Sequence, residues 1–224
     1  MKVLIFGATG MVGRGVLREC LLAADVELVQ TVGRTSVGQV DPKLRDVVHA
    51  DLFNYSAVET ELQGLDACFF CLGVSAAGKS EAQYSHMTYE LTLAAAQTLS
   101  RLNPQMSFVY VSGAGTDSTE KGAIMWARVK GRTENALLRL PFRAVYLFRP
   151  GVIQPLHGIQ SKTGAYRILY SLLKPVLPLA RALLPNVVLT TESMGLAMLN
   201  VLRHGHATPI LEVRDIAAMA AANS

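Results

Sequence analysis

The N-terminal stretch of the chain reads Val3-Leu4-Ile5-Phe6-Gly7-Ala8-Thr9-Gly10-Met11-Val12-Gly13. An apolar run leads into glycines spaced G-x-x-G-x-x-G, and the next residues predict a helix that buries Val16, Leu17 and Leu21. Such glycines let the backbone approach a pyrophosphate, whose charge meets unpaired N–H groups and the positive end of the helix dipole. We therefore predict dinucleotide binding by Gly7, Thr9, Gly10, Met11, Val12 and Gly13. The alternative is an ordinary tight turn.

Short apolar runs alternate with helix-period segments along the rest of the chain. The predicted strands are Val3 to Phe6, Glu27 to Val32, Asp46 to His49, Ala67 to Leu72, Ser107 to Ser112 and Arg143 to Arg149. The predicted helices between them are Met11 to Ala23, Ser80 to Arg101 and Gly122 to Leu140. This alternation predicts an α/β fold with a doubly wound parallel sheet.

The length of 224 residues favours a single domain. We expect residues 1–150 to form the cofactor-binding core and residues 151–224 a small extension on the substrate side. After Pro150, prolines interrupt an apolar stretch in which we find no clean strand. Helices are plausible there from Lys162 to Leu173 and from Thr191 to Arg203.

The composition excludes several classes of protein. With 50% hydrophobic and 17% charged residues the chain is globular rather than disordered. The net charge of +4 comes from scattered residues, so nucleic-acid binding is not expected. No window is apolar and long enough for an integral membrane span. Three cysteines and no apparent secretory leader indicate reducing surroundings, and we expect a cytoplasmic protein, for which a homodimer is one possible assembly.

The choice of dinucleotide is suggested by the residues after the second strand. An acidic residue there would hold the ribose hydroxyls of NAD, but this chain has Gly33 followed by Arg34 and Thr35. A guanidinium suits a phosphate monoester, so NADP is preferred over NAD. The alternative is that Arg34 is simply a solvated loop residue.

A set of short motifs resembles the short-chain dehydrogenase/reductase superfamily and its Rossmann fold. The motifs are Gly7 to Gly13, Gly33-Arg34, Ala50-Asp51-Leu52, Val111-Ser112-Gly113, Lys130-Gly131 and Arg149-Pro150-Gly151. The resemblance covers nearly the whole chain and is closer to small atypical members related to NmrA-like and Tat-interacting oxidoreductase-like proteins. These are often labelled nucleoside-diphosphate-sugar epimerases, that is, of the NAD-dependent epimerase/dehydratase group.

The resemblance implies roles for particular positions. It places Asp51 and Leu52 beside the adenine, Leu72 and Gly73 along the cofactor ribose and phosphates, and Pro150 and Val152 near the nicotinamide. It also makes Ser112 the catalytic residue that polarises a substrate carbonyl. Lys130 becomes the catalytic lysine that binds the nicotinamide ribose.

The catalytic tyrosine that the resemblance implies, four residues before Lys130, is replaced by Trp126. An indole has no proton to exchange near neutral pH, so another general acid is needed. Candidates are Lys79, Tyr84 and His86, although each is more simply a surface or packing residue. Tyr170 and Lys174 spell Y-x-x-x-K beyond the sixth strand, and we interpret that match as accidental.

No metal site is expected, because Cys68 and Cys71 lie at an odd separation in one predicted strand and point to opposite faces. Two functions remain open. The first is an NADP-dependent, possibly epimerase-like, oxidoreductase acting on a small carbonyl or hydroxyl substrate. The second is a catalytically inactive NADP-binding sensor or interaction protein, as the replacement by Trp126 suggests.

Overall fold

A computed structural model describes residues 1–159 and 188–222 of the chain. In this part, seven parallel strands form one sheet, namely β1 (Lys2–Phe6), β2 (Leu28–Gly33), β3 (Leu44–Val48), β4 (Ala67–Phe70), β5 (Ser107–Val111), β6 (Ala144–Phe148) and β9 (Ile210–Leu211). Their order across the sheet is β3-β2-β1-β4-β5-β6-β9. The predicted doubly wound fold is confirmed, and the order of its first six strands is that of a Rossmann sheet.

Helices cover both faces of the sheet. They are α1 (Met11–Leu22), α2 (Glu81–Ser85), α3 (Leu91–Leu102), α4 (Met125–Leu137), α5 (Thr191–His204) and α6 (Val213–Ala221). A π-helical turn (His86–Glu90) joins α2 to α3, so the single helix predicted from Ser80 to Arg101 is interrupted. The predicted start at Ser80 is confirmed. Ser80 is the N-cap of α2, and its hydroxyl accepts a hydrogen bond from the Gln83 N–H in a capping box.

The core consists of two apolar layers, one on each side of the sheet. Successive residues of β1 alternate between them: Val3 and Ile5 pack with α1 and α5, whereas Leu4 and Phe6 pack with α3 on the other side. All four side chains are fully buried. The continuous apolar runs in the sequence reflect this two-sided burial.

The C-terminal part departs from the sequence prediction. We expected no clean strand after Pro150, and this was wrong: β7 (Val152–Gln154) pairs in parallel with β8 (Val188–Thr190), and β9 joins the main sheet beside β6. These strands have two or three residues each, too few to produce a periodic pattern. Helix α6 was also not predicted, whereas α5 begins where expected and is capped by Thr190.

Two sequence interpretations fall on residues 160–187, outside the described part: the helix from Lys162 to Leu173 and the pair Tyr170 and Lys174. Within the described ranges, no helix is both long enough and apolar enough to cross a membrane.

Candidate functional site

The site lies where the order of the strands reverses. β2 pairs on one side of β1 and β4 on the other, so the connections after β1 and β4 diverge at the carboxyl edge of the sheet. A cleft of about 470 Å³ opens there. It is lined by six of the predicted cofactor residues, namely Gly7, Thr9, Arg34, Thr35, Leu52 and Leu72.

The glycine turn leaves no room for side chains at two positions. Gly7 has φ +77°, and a Cβ added to it would lie 2.7 Å from the Leu72 backbone nitrogen. A Cβ on Gly13 would lie 2.1 Å from the Gly7 carbonyl oxygen. The Gly10 N–H donates to that same oxygen at 2.8 Å, which closes the turn. The two glycines therefore bring the backbone of the turn against the start of α1 and the end of β4.

The N-terminus of α1 is uncapped by side chains. Its N-cap, Gly10, offers no side-chain acceptor, and the first turn contains no acidic residue. Met11 and Val12 are the first residues of the helix. A helix end of this kind presents N–H groups and a partial positive charge to an anion.

Away from the start of α1, the cleft is lined by two apolar side chains, Leu52 and Leu72. Leu52 is buried and belongs to the sheet core, while Leu72 is half-buried at the end of β4. Asp51 is exposed, and its carboxylate accepts the Phe53 N–H at 2.9 Å. Gly73 follows Leu72 and is exposed, with nothing within 4 Å of an added Cβ.

The loop after β2 supplies the polar side of the cleft. Arg34 and Thr35 are both exposed, and Arg34 forms no ion pair with any described residue. Asp46 in β3 also lines this side, which the sequence analysis missed because its contacts cross from one strand to another. Its carboxylate accepts the Thr31 hydroxyl and, at 2.9 Å, the Val37 N–H.

A second polar group lies beyond the end of β5. The Ser112 hydroxyl donates to Glu134 Oε1 at 2.6 Å, and the Phe148 carbonyl oxygen is a further acceptor at 3.1 Å. Arg149 donates from Nε and Nη2 to the two oxygens of Glu134. Glu134 is 1% exposed, so this is a buried, two-bond ion pair. Hydrogen bonding to Glu134 raises the pKa of the Arg149 guanidinium.

Lys130 belongs to the same group of side chains. Its Nζ donates to the Ser112 carbonyl oxygen from one turn before Glu134 on α4. Burial lowers the pKa of Lys130 to about 8, although the nearby Glu134 carboxylate opposes this shift. The structure thus brings Ser112 and Lys130 together. The sequence analysis did not name Glu134. Its position four residues after Lys130 is the signal that could have identified it, because residues i and i+4 share a helix face.

Trp126 lies at the N-terminal end of α4 and is half-exposed. Its ring faces the loop after β5, since a Cβ added to Gly115 would lie 3.7 Å from the indole. Among the substitute acids, Tyr84 is buried and His86 stacks on Phe53 with ring centroids 4.5 Å apart. Neither they nor Lys79 are among the described residues that line the cleft.

The remaining predicted positions follow β6. Pro150 is buried, and its carbonyl oxygen accepts the Ala114 N–H at 2.8 Å, which ties the loops after β5 and β6 together. Val152 is 48% exposed at the start of β7. In the described ranges the three cysteines are free thiols, and no three His, Cys, Asp or Glu side chains are grouped as metal ligands would be.

Residues 3–121 match the model of the family described as NAD dependent epimerase/dehydratase. A curated relative is Protein FMP52-2, mitochondrial, from Scheffersomyces stipitis, which is 27% identical over 152 residues. The match covers 66% of this chain and 65% of that protein, so the chain spans just under two thirds of the relative's length.

Solved structures share the fold at low sequence identity. An oxidoreductase of the short chain dehydrogenase/reductase family from Burkholderia thailandensis gives a TM-score of 0.64 at 16% identity, over 96% of this chain and 91% of that one. The Bordetella bronchiseptica enzyme WbmH, in complex with NAD+, gives 0.66 at 14% identity, over 94% and 74%. The predicted membership of the NAD-dependent epimerase/dehydratase group is confirmed by the family match.

The predicted cytoplasmic location is contradicted by these relatives, several of which are named as mitochondrial proteins. The prediction rested on the odd number of cysteines and on the lack of an apparent secretory leader. An odd number indicates reducing surroundings but does not distinguish one reducing compartment from another.

Proposed function

The chain belongs to the NAD dependent epimerase/dehydratase family, and from this membership and the geometry of the cleft we propose that it is an NADP-binding oxidoreductase-like protein acting on a small carbonyl or hydroxyl substrate. The observation that carries the proposal is the turn from Gly7 to Gly13, where the backbone at Gly7 and at Gly13 lies too close to neighbouring backbone atoms for a side chain.

The residues of the cleft fit a dinucleotide. The pyrophosphate would bind against the turn and the uncapped start of α1, where N–H groups face it and no carboxylate of the first turn repels it. The adenine would pack on Leu52 and Leu72, which provide the apolar surface at the other end of the cleft. Pro150 and Val152 would border the nicotinamide.

Arg34 supports NADP rather than NAD. Its guanidinium is exposed at the cleft and has no ion-pair partner in the described part of the chain. It is therefore available for the 2′-phosphate, with the Thr35 hydroxyl as a second donor. The nearby carboxylate of Asp46 differs from the acid that would hold ribose hydroxyls, because it lies in β3 rather than at the end of β2, and it already binds the Thr31 hydroxyl and the Val37 N–H.

When bound, NADPH would supply a hydride to the substrate. Lys130 would then hold the nicotinamide ribose with the N–H groups that its bond to the Ser112 carbonyl leaves over. Because the pKa of Lys130 is lowered to about 8, its charge and its donors are present at neutral pH and decline above pH 8.

Among the described residues, neither Ser112 nor Trp126 is a ready source of the proton for a carbonyl oxygen. Ser112 has one hydroxyl proton, and the buried Glu134 carboxylate already accepts it. To polarise a substrate, the hydroxyl would have to leave Glu134. Trp126 donates a hydrogen bond but does not exchange a proton at neutral pH.

The positions of Ser112 and Trp126 favour a second candidate function: a protein that binds NADP without turnover and acts as a sensor or interaction partner. The homodimer and the absence of a nucleic-acid partner remain predictions in either case.

One experiment separates the two candidates. Trp126 is the only tryptophan of the chain, so indole fluorescence and energy transfer to the reduced nicotinamide would report NADPH binding at this site. The same sample is then tested for NADPH oxidation with a panel of aldehydes, ketones and sugar nucleotides. We expect binding and slow turnover. Binding without turnover on any substrate would support the sensor, and no binding would refute both candidates.

A further inference from the structure

The side chain of Asp46 in β3 binds to residues on both sides of the loop that follows β2. Asp46 lies opposite Thr31 in the parallel pairing of β3 with β2. Its Oδ1 accepts the Thr31 hydroxyl, and its Oδ2 accepts the Val37 N–H at 2.9 Å. Burial would raise the pKa of Asp46, but hydrogen bonds from Ser36, Thr31 and Val37 outweigh it and hold the pKa below the ordinary value.

The loop between these two contacts carries Arg34. The chain leaves β2 at Gly33, and residues 34–37 form no strand or helix. The loop is thus attached to one carboxylate on both sides, by the Thr31 hydroxyl before it and by the Val37 N–H at its end. The Ser36 hydroxyl adds one bond within the loop by accepting the Gly38 N–H at 3.1 Å.

An exposed arginine has several rotatable bonds, so its backbone must be fixed if the guanidinium is to recognise one phosphate. We propose that Asp46 is the positioning residue for cofactor choice: it fixes the loop so that Arg34 faces the 2′-phosphate of NADP. This inference rests on the proposed function, because it assumes that the cleft binds NADP. Asp46 itself would not contact the cofactor.

The carboxylate is suited to this task because both of its oxygens accept hydrogen bonds. In Asp46→Asn, the amide oxygen still accepts the Val37 N–H, and the amide nitrogen donates to the Thr31 hydroxyl. Asparagine should therefore preserve the loop while removing the charge, whereas Asp46→Ala removes both contacts. The pair of variants separates positioning from electrostatic repulsion of the phosphate.

The test measures dissociation constants for NADPH and NADH by Trp126 energy transfer. We expect Arg34→Ala and Asp46→Ala each to weaken NADPH binding about tenfold and to leave NADH binding within about twofold. Asp46→Asn should stay within about threefold of the wild type for both. The control Asp41→Ala, which removes an equal charge from a residue outside the cofactor cleft, should change neither constant.

A second readout does not depend on any cofactor. Hydrogen exchange of peptides covering residues 34–38 should be faster in Asp46→Ala, and to a smaller degree in Thr31→Val, than in the wild type. Arg34→Ala should not change it. Exchange that is the same in all these variants would overturn the positioning role, even if Asp46→Ala proved too unstable for binding measurements.

The outcomes distinguish this inference from the proposed cofactor. A wild-type preference for NADPH that Arg34→Ala removes and Asp46→Ala leaves intact would overturn the role of Asp46 alone. Tighter NADPH binding by Asp46→Asn would also overturn it, since the carboxylate would then act by repulsion. A wild-type protein that binds both cofactors equally would overturn the choice of NADP and this inference with it.

Discussion

Replacing Gly7 by alanine tests the close contact on which the cleft is built. Gly7 has φ +77°, and the new Cβ would lie 2.7–2.8 Å from three backbone atoms of Cys71 and Leu72. The left-handed conformation costs a non-glycine residue about 1–2 kcal/mol. The steric overlap adds about 1–3 kcal/mol, because backbone atoms cannot move aside as a flexible side chain would. Gly7→Ala should therefore lower the free energy of unfolding by about 2–5 kcal/mol.

Gly64→Ala is a matched control for this substitution. Gly64 has φ +70°, but nothing lies within 4 Å of an added Cβ. The control shares the backbone strain and the stabilisation that alanine gives by restricting the unfolded chain. Its loss should be about 1–2 kcal/mol at most. Urea unfolding of both variants measures the difference. Equal losses would mean that the turn does not approach the end of β4, and the geometry of the cleft would be refuted.

Three further predictions concern the group of side chains beyond β5. Glu134→Ala should cost about 3 kcal/mol or more in urea unfolding, because it leaves the buried Arg149 without its main partner. As a control, Glu59→Ala breaks the exposed ion pair with Arg101 and should cost less than about 1 kcal/mol. Equal losses in the two variants would contradict the burial of the pair between Glu134 and Arg149. The affinity for NADPH should fall as the pH rises through about 8, because Lys130 then loses its proton. The substitution Lys130→Met should abolish this pH dependence. A pH profile of NADPH affinity that the substitution leaves unchanged would show that Lys130 does not bind the cofactor. The substitution Trp126→Tyr should supply the missing general acid. The rate of NADPH oxidation with a panel of aldehydes should then rise about 100-fold, while the affinity for NADPH stays the same. An unchanged rate would show that Trp126 does not limit turnover.

Much of the main sheet was predictable from the sequence, since strands such as β1 and β4 are apolar runs that only two-sided burial explains. The glycine turn was equally predictable, because its spacing, its preceding strand and its following helix all point to the same geometry. The strands after Pro150 were not. Their two or three residues are ordered by partners far away in the chain, and this leaves no local pattern.

The candidate site likewise contains positions that the sequence could predict and contacts that it could not. Positions fixed by backbone geometry, such as Gly7 and Gly13, could be named from the sequence. Side-chain partners could not, because the bond from Ser112 to Glu134 joins β5 to α4, and the contacts of Asp46 join β3 to the loop after β2. The direction of the Ser112 hydroxyl, which bears most on the proposed reaction, therefore became visible only in the structure.

The proposal depends most directly on whether the cleft binds NADP. Isothermal titration calorimetry of the wild-type chain with NADPH, NADH and ATP measures this without assuming any reaction. The account predicts binding of one NADPH per chain, with an affinity at least about tenfold higher than that for NADH, and weaker binding of ATP. Absence of heat with both dinucleotides at millimolar concentration, with the chain folded, would contradict it.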